Sequence, residues 1–301
     1  MKGTKEILLH TQSKPQVLLL GNGLLRLSGG IDWKTLLGKL NKRQVPEDVL
    51  KQIPFGMQPE AMCGTNVEQI CRDVAKELDD AQPVCPEQLK RLLSLDFDCI
   101  LTTNYTYDVE GCLLGKWNES QRRKTFTYYG EDAAPHHNLA CAYEMPTSTG
   151  KRIPVFHVHG DVARKHSLVL SYYSYVNTVN KLSERSRTLG NTLLEKQQAE
   201  QPLQAKTWLD WFLTGDVYSL GFGWDFSEVD LWWAAERKAR ENAMVGKHTA
   251  FLIGEKSMAH TQALLQSTDA TVHTFTAQTK DQFAKHYENA IDLIKASIPH
   301  G

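Results

Sequence analysis

The sequence predicts an α/β protein: a Rossmann-like parallel sheet with helices on both faces and helical insertions. Two observations carry this. Short apolar runs alternate with longer stretches of helical periodicity, the pattern of strands buried on both faces and covered by crossover helices. Four of those runs stop abruptly at glycine or polar residues, at Val17–Gly23, Ile100–Tyr105, Val155–Gly160 and Val217–Gly223. Ligands of open sheets bind outside the carboxyl ends of the strands, so these four segments are expected to converge on one crevice.

Composition permits that architecture and removes other classes. With 301 residues, 41% of them hydrophobic, the chain can bury roughly three quarters of its unfolded surface. A formal charge of −1, with both signs interspersed, implies no broad surface for a nucleic-acid backbone. The apolar stretch Val17–Leu20 is too short for a secretory core or a spanning helix, so a cytoplasmic protein without membrane association is expected. Cysteines stand at 63, 71, 85, 99, 112 and 141 without a Cys-x-x-Cys pair, a spacing that excludes a zinc ribbon. All six read as reduced thiols, Cys99 as a small buried hydrophobe.

The core strands are expected at Val17–Leu20, Asp98–Leu101, Ile153–His157, Val217–Leu220 and Thr249–Ile253, with a late strand at Thr271–Thr276. Between the first two, Leu36, Leu37 and Leu40, then Val67, Ile70, Val74 and Leu78, recur at helical spacing. That interval is too long for one crossover, and its prolines break it into several helices, giving a helical insertion over 34–95. Gly130–Gly150, with His136 and His137, reads as a long loop. Tyr172–Gln204 is polar and helix-prone and belongs to a second helical insertion over 172–210, in which Trp208–Leu213 packs just before the next strand. No repeats occur, so residues 1–301 read as a single domain whose last segment finishes the sheet.

Each strand end offers chemistry and a plainer alternative. Gly21-Asn22-Gly23 lets the backbone turn tightly beside a ligand, and a following helix would aim free amides at phosphate. Arg26 occupies the third glycine position of the dinucleotide fingerprint, and a plain strand-to-helix turn also accounts for two glycines. Trp33 can cover a nucleotide or sit in the core. Asn104 presents a donor and an acceptor suited to a carboxamide or a ribose hydroxyl; as a favoured capping residue it can instead start a helix. His157 and His159 share one face if the strand stays extended, and His159, before Gly160, is placed to act as a general base. The pair can alternatively ligate a metal, or one of them can be a satisfied core histidine. Gly221-Phe222-Gly223 permits close backbone contact, Ser227-x-x-Asp230 resembles a helix cap, and Trp232 and Trp233 read as packing residues.

Taken in order, Gly21-Asn22-Gly23 with Gly30-Ile31-Asp32-Trp33, Thr102-Thr103-Asn104-Tyr105, His157-Val158-His159-Gly160-Asp161, and Gly221-Phe222-Gly223 with Asp230 resemble the SIR2-like, sirtuin-type family. The likeness is to its bacterial branch without zinc, which includes NAD-hydrolysing antiphage effectors, and it spans roughly residues 15 to 255. The resemblance implies a sheet holding NAD in an extended cleft. Asn104 would position the nicotinamide ribose or the attacking water, and His159 would serve as base. Gly21, Asn22, Gly23, Trp33, Thr103, Gly221, Phe222 and Gly223 would line the cofactor. The pattern differs in three places: Asn22 sits between the first glycines, Asp32 replaces a proline, and the acidic residue after Asn-Tyr is displaced to Asp108.

The expected activity is hydrolysis of the nicotinamide N-glycosidic bond of NAD, with NAD as substrate and no metal, and with antiphage defence by NAD depletion as a role the resemblance implies. Departure of nicotinamide leaves an oxocarbenium-like ribose, the electronic problem of glycosidases, although no carboxylate pair is evident in the sequence. Unregulated NAD consumption would be toxic, so homo-oligomerisation or a separately encoded regulatory or sensor protein is expected. Three rivals are an NAD-dependent protein deacylase, a non-catalytic NAD or ADP-ribose binding module, and a metal-dependent hydrolase using His157 and His159.

Overall fold

Alternation of side chains along each apolar run sends successive residues into two separate cores. In the computed structural model, described over residues 6–7, 14–78, 81–130, 138–198, 203–240 and 246–299, Val17 and Leu19 enter one layer with Cys99, Leu101, Phe156 and Val217. Leu18 and Leu20 enter the other with Ile100, Val155, Tyr218 and Leu220. A strand buried on both faces must be apolar at every position, which is why these runs read as continuous rather than alternating.

The chain begins with β1 (Glu6–Ile7) and β2 (Gln16–Leu20), followed by α1 (Trp33–Leu40), α2 (Glu47–Leu50), α3 (Gln58–Cys63), α4 (Val67–Leu78) and α5 (Glu87–Leu93). Next come β3 (Cys99–Thr102), α6 (Asp108–Leu114), α7 (Glu119–Thr125), β4 (Phe126–Tyr128), β5 (Cys141–Pro146) and β6 (Arg152–His157). The remainder is α8 (Tyr172–Gln198), β7 (Leu203–Gln204), α9 (Trp208–Thr214), β8 (Asp216–Leu220), α10 (Val229–Arg240), β9 (His248–Gly254), α11 (Ala259–Ser267), β10 (Thr271–Thr276) and α12 (Lys280–Ser297).

Eight strands form one sheet in the order β10-β9-β8-β2-β3-β6-β5-β4, while β1 and β7 pair separately. From β10 to β6 all neighbours are parallel; β5 and β4 extend the edge antiparallel. The chain thus moves outward from β2 through β3 to β6, returns to the other side of β2, and moves outward again through β8, β9 and β10. That reversal makes the carboxyl ends of β2 and β8 the topological switch point, where open α/β sheets bind ligands.

The switch point is closed by backbone. Gly21 N donates to Leu220 O at 3.0 Å and Gly23 N to Gly221 O at 2.8 Å. A Cβ on Gly21 would lie 2.3 Å from Gly221 O, so the loops after β2 and β8 meet only because a side chain is missing there. The helices are fastened by capping: Thr207 and Asp210 form a reciprocal capping box at α9, and Asp210 also accepts Arg185 Nε and Nη2 of α8 at 2.8 and 2.6 Å. At the other end of α9, the buried Lys238 ammonium donates to the carbonyls of Phe212, Leu213 and Gly215, which a helix C-terminus leaves without partners.

A third core lies over the carboxyl edge of the sheet, where α1 and α4 contribute Leu36, Leu40, Ile70, Val74 and Leu78 against Leu168 and Leu170. Among the described residues no helix is long and apolar enough to cross a membrane. Three expectations are corrected. The Gly130–Gly150 stretch contains β5, a strand between β6 and the edge strand β4 whose half-buried Glu144 and terminal Pro146 mask it as loop; His136 and His137 fall outside the described residues. Cys85 and Cys112 form a disulfide, so not all six cysteines are thiols; a pairing 27 residues apart leaves no local spacing signal. Finally, Ser227-x-x-Asp230 is no cap: Asp225 accepts the Ser227 amide and hydroxyl at 2.9 and 2.6 Å, which frees Asp230 for a different partner. Trp232 does pack, with its ring 5.1 Å from Trp224.

Gly21→Ala forces a methyl into the Gly221 carbonyl and is expected to destabilise the fold by about 1–3 kcal/mol, the usual range for overpacking. Urea unfolding of the two proteins measures it; an unchanged midpoint would contradict the contact.

Candidate active site

Thr102-Thr103-Asn104 turns the chain off β3 under tight control. The Thr102 hydroxyl donates to Leu20 O at 3.1 Å and accepts from Asn104 N at 3.1 Å, while Thr103 N continues the ladder to Leu20 O. The capping role for Asn104 is not adopted, since α6 starts at Asp108 with Tyr107 at the cap position. Its side chain is buried, yet among the described residues Nδ2 has no hydrogen-bond partner. Buried amides are nearly always paired, so an orphaned one on a cleft wall is a donor held ready for a ligand.

The backbone of Asn104 is fixed from beneath by His157, at the end of β6. His157 Nδ1 lies 2.7 Å from Asn104 O and Nε2 lies 2.9 Å from Glu110 Oε1 of α6. Carbonyl and carboxylate both accept, so both ring nitrogens donate and the imidazole is protonated. Burial opposes that charge most strongly, but the Glu110 carboxylate and then Asp161 and the Asn104 carbonyl leave the His157 pKa raised above its usual value. His157 is therefore a structural cation. It does not share a face with His159, because the strand ends at His157.

His159 is 2% exposed, more enclosed than a strand-end position implies, and it borders the cleft. Its Nε2 lies 3.1 Å from Asp230 Oδ2 near the start of α10, and Asp230 Oδ1 accepts Leu231 N at 2.9 Å. A carboxylate on Nε2 selects the tautomer protonated there and leaves Nδ1 as the basic nitrogen. The ring packs edge-on against Tyr175, with centroids 5.4 Å apart.

The loop after His159 is held by Gly160, at φ +84°, where a Cβ would meet Ser167 O at 2.2 Å, and by Asp161. Buried Asp161 accepts Arg164 Nε at 2.7 Å and the Tyr107 hydroxyl. Burial works against its charge, but Arg164 foremost and His157 next keep its pKa below the ordinary carboxylate value. Asp108 is likewise structural, accepting Val84 N at 2.8 Å and the Thr106 hydroxyl.

A cavity of about 140 Å³ opens between these groups. Of the residues singled out in the sequence, Asn22, Trp33, Thr103, Asn104 and His159 line it. Asn22 also donates to Ile31 O at 2.6 Å, and Trp33 packs 5.3 Å from Phe55 and 5.9 Å from Tyr105. Gly21, Gly23, Gly221, Phe222 and Gly223 are not among the lining residues: the glycines at 21, 23 and 221 serve the contact between loops, and Phe222 is buried against Trp224. Ile31, Asp32, Leu36, Phe55, Leu78, Tyr105, Thr106, Tyr175 and Glu228 complete the walls without having been assigned there from sequence. Tyr105 adjoins Asn104 and Glu228 lies inside the segment read as a cap, so both had a local signal; Phe55 and Tyr175 arrive from remote helical segments and had none. Among the described residues no group of His, Cys, Asp or Glu could hold a metal ion.

The raised His157 pKa has a defined sign. The stabilisation is complete below the unfolded value near ~6.5 and is lost as pH rises through the higher folded value. Unfolding free energy is therefore expected to fall with increasing pH above neutrality, and Glu110→Gln is expected to flatten that dependence. Parallel pH curves for the two proteins would contradict the protonated bridge.

Comparison with family models matches residues 98–272 to one described as a SIR2-like domain. The match runs from the residue before β3 into β10 and includes Asn104, His159, Glu228 and Asp230. Comparison with curated proteins gives no match.

Proposed function

Because the chain belongs to the SIR2-like family, whose chemistry is NAD-related, we propose that it hydrolyses NAD to nicotinamide and ADP-ribose. The observation that carries this reading is the orphaned Asn104 amide on the same cleft as a histidine held by a carboxylate. A buried donor without a partner fits a ribose hydroxyl, a carboxamide or an ordered water, and each occurs where NAD is cleaved.

NAD supplies a cationic leaving group that departs as neutral nicotinamide with the bonding electron pair, leaving positive charge at the anomeric carbon. Asn104 orients water, or the ribose, for attack on that carbon. His159 accepts the proton that water loses as its oxygen bonds to the sugar, and Nδ1 is the nitrogen available for it. Asp230 is a positioning residue: it fixes the ring and its tautomer and stabilises the imidazolium that forms. The cavity is below the 300–1,000 Å³ typical of small-molecule pockets, so it takes one end of the dinucleotide while the rest lies along the carboxyl edge of the sheet. Asn22, Trp33 and Thr103 would line the cofactor from the cavity walls. The exposed Gly223 offers backbone on the open edge. Depletion of NAD in antiphage defence, control by self-association or a separately encoded partner, and a cytoplasmic site of action are the biological setting this reading carries.

Purified protein mixed with NAD is expected to release nicotinamide and ADP-ribose in equal amounts without any peptide. Asn104→Ala and His159→Ala each lower the rate by about 10²–10⁴-fold, the usual contribution of a positioned acid–base group. Asp230→Asn lowers kcat and leaves KM nearly unchanged, as for an interaction made only in the transition state. Nicotinamide release only with an acyl-lysine peptide would identify a deacylase, and NAD binding without turnover would identify a binding module; either result would overturn the hydrolase assignment.

A further inference from the structure

The walls of the cleft carry one more group with no assigned task. Glu228 is fixed by its backbone at the entry to α10: its amide donates to Asp225 O, and its carbonyl accepts Leu231 N and Trp232 N, all at 3.1 Å. Glu228 lines the cavity with Asn104 and His159. Among the described residues its carboxyl has neither a hydrogen-bond partner nor a cationic partner, whereas Arg164 and Arg185 pair with the buried acids Asp161 and Asp210.

The charge of the cavity is one-sided. Among the described residues no Lys or Arg lines it, whereas Glu228 and Asp32 do, together with the aromatic residues Trp33, Phe55, Tyr105 and Tyr175. Such a wall suits a flat cation, which a carboxylate attracts and aromatic faces receive, and it repels a phosphate.

We propose that Glu228 is the specificity-determining residue that makes this cleft select the oxidised, cationic nicotinamide ring of NAD⁺ over the neutral dihydronicotinamide ring of NADH. The inference rests on the NAD reading above and adds which end of the dinucleotide enters and in which redox form. The titratable groups acting on or with Glu228 are Asp230 and Asp225 from its own segment, Tyr105 after β3 and Tyr175 of α8; His159 after β6 and Asp32 before α1 share its cavity. Burial first, then Asp230 and Asp225, hold its carboxyl well above the ordinary range, so without ligand it keeps its proton to higher pH than an ordinary carboxyl. A cationic ring beside it favours the carboxylate, and binding of NAD⁺ then releases that proton to solvent; binding of NADH does not.

Titration calorimetry with carba-NAD⁺, a cationic analogue whose nicotinamide bond is not hydrolysed, and with NADH, each in two buffers of different ionisation enthalpy, reads affinity and proton release in the absence of turnover. The wild-type protein is expected to bind the cationic nucleotide more tightly and to release a proton with it alone. Glu228→Gln is expected to lose the proton release and about tenfold of the preference, while Glu228→Asp, which keeps the charge, retains both in part. Thermal unfolding of each variant reports its fold. Equal affinity of the wild type for both nucleotides, or preference and proton release that survive in Glu228→Gln, would overturn the assignment of Glu228 and leave the NAD reading standing. Binding of neither nucleotide would overturn both.

Discussion

The cleft depends on one buried imidazole. His157 ties the carbonyl of Asn104 to the Glu110 carboxylate, joining the ends of β3 and β6 to the helix that follows Asn104. Because its partners are both acceptors, it holds the Asn104 backbone as a charged donor, and charge-assisted bonds in a dry interior are strong and directional. With its backbone fixed in this way and Thr102 holding its amide, Asn104 lines the cavity with Nδ2 unpaired among the described residues. An amide that must wait for a ligand is costly to keep buried, and this bridge is what keeps it there.

The rest of the site is assembled around the same edge. Glycines at the switch point bring the loops after β2 and β8 into backbone contact, which places the start of α10, with Glu228 and Asp230, beside the ends of β3 and β6. Asp230 then reaches His159, so one helix start from the second half of the sheet orients a histidine supplied by the first half. Helices α1 and α4 cover the opening with their own apolar core, and Trp33, Tyr105 and Tyr175 turn the opening into an enclosed, aromatic cavity. Family membership accounts for the sheet and its NAD chemistry; the acidic, aromatic character of the cavity belongs to this chain's own residues.

Much of this was legible before any coordinates. Fully buried strands are apolar at nearly every position, so β2, β3, β6, β8 and the buried part of β9 announce themselves, and Asn104 and His159 stand out because polar residues interrupt such runs at their ends. Other features have no local signature. Strands β4 and β5 lie at the antiparallel edge, where Glu144 and Pro146 dilute the apolar pattern. Asp230 sits in a segment that has the spacing of a helix cap, and only the fold reveals that its carboxylate turns to an imidazole 71 residues away. Glycines after β2 and β8 look in sequence like ligand contacts, and in space their missing side chains are required by one another. The Cys85–Cys112 bond and the contributions of Phe55 and Tyr175 depend on tertiary proximity alone.

A crystal structure of the His159→Ala protein soaked with NAD tests the central claim most directly, since the variant retains the Asn104 amide while turnover is suppressed. The account requires the nicotinamide ribose to lie against the Asn104 side chain, with the nicotinamide ring inside the cavity and the pyrophosphate outside it. NAD bound elsewhere on the molecule, or bound with its phosphates in the cavity and Asn104 Nδ2 still without a partner, would contradict it.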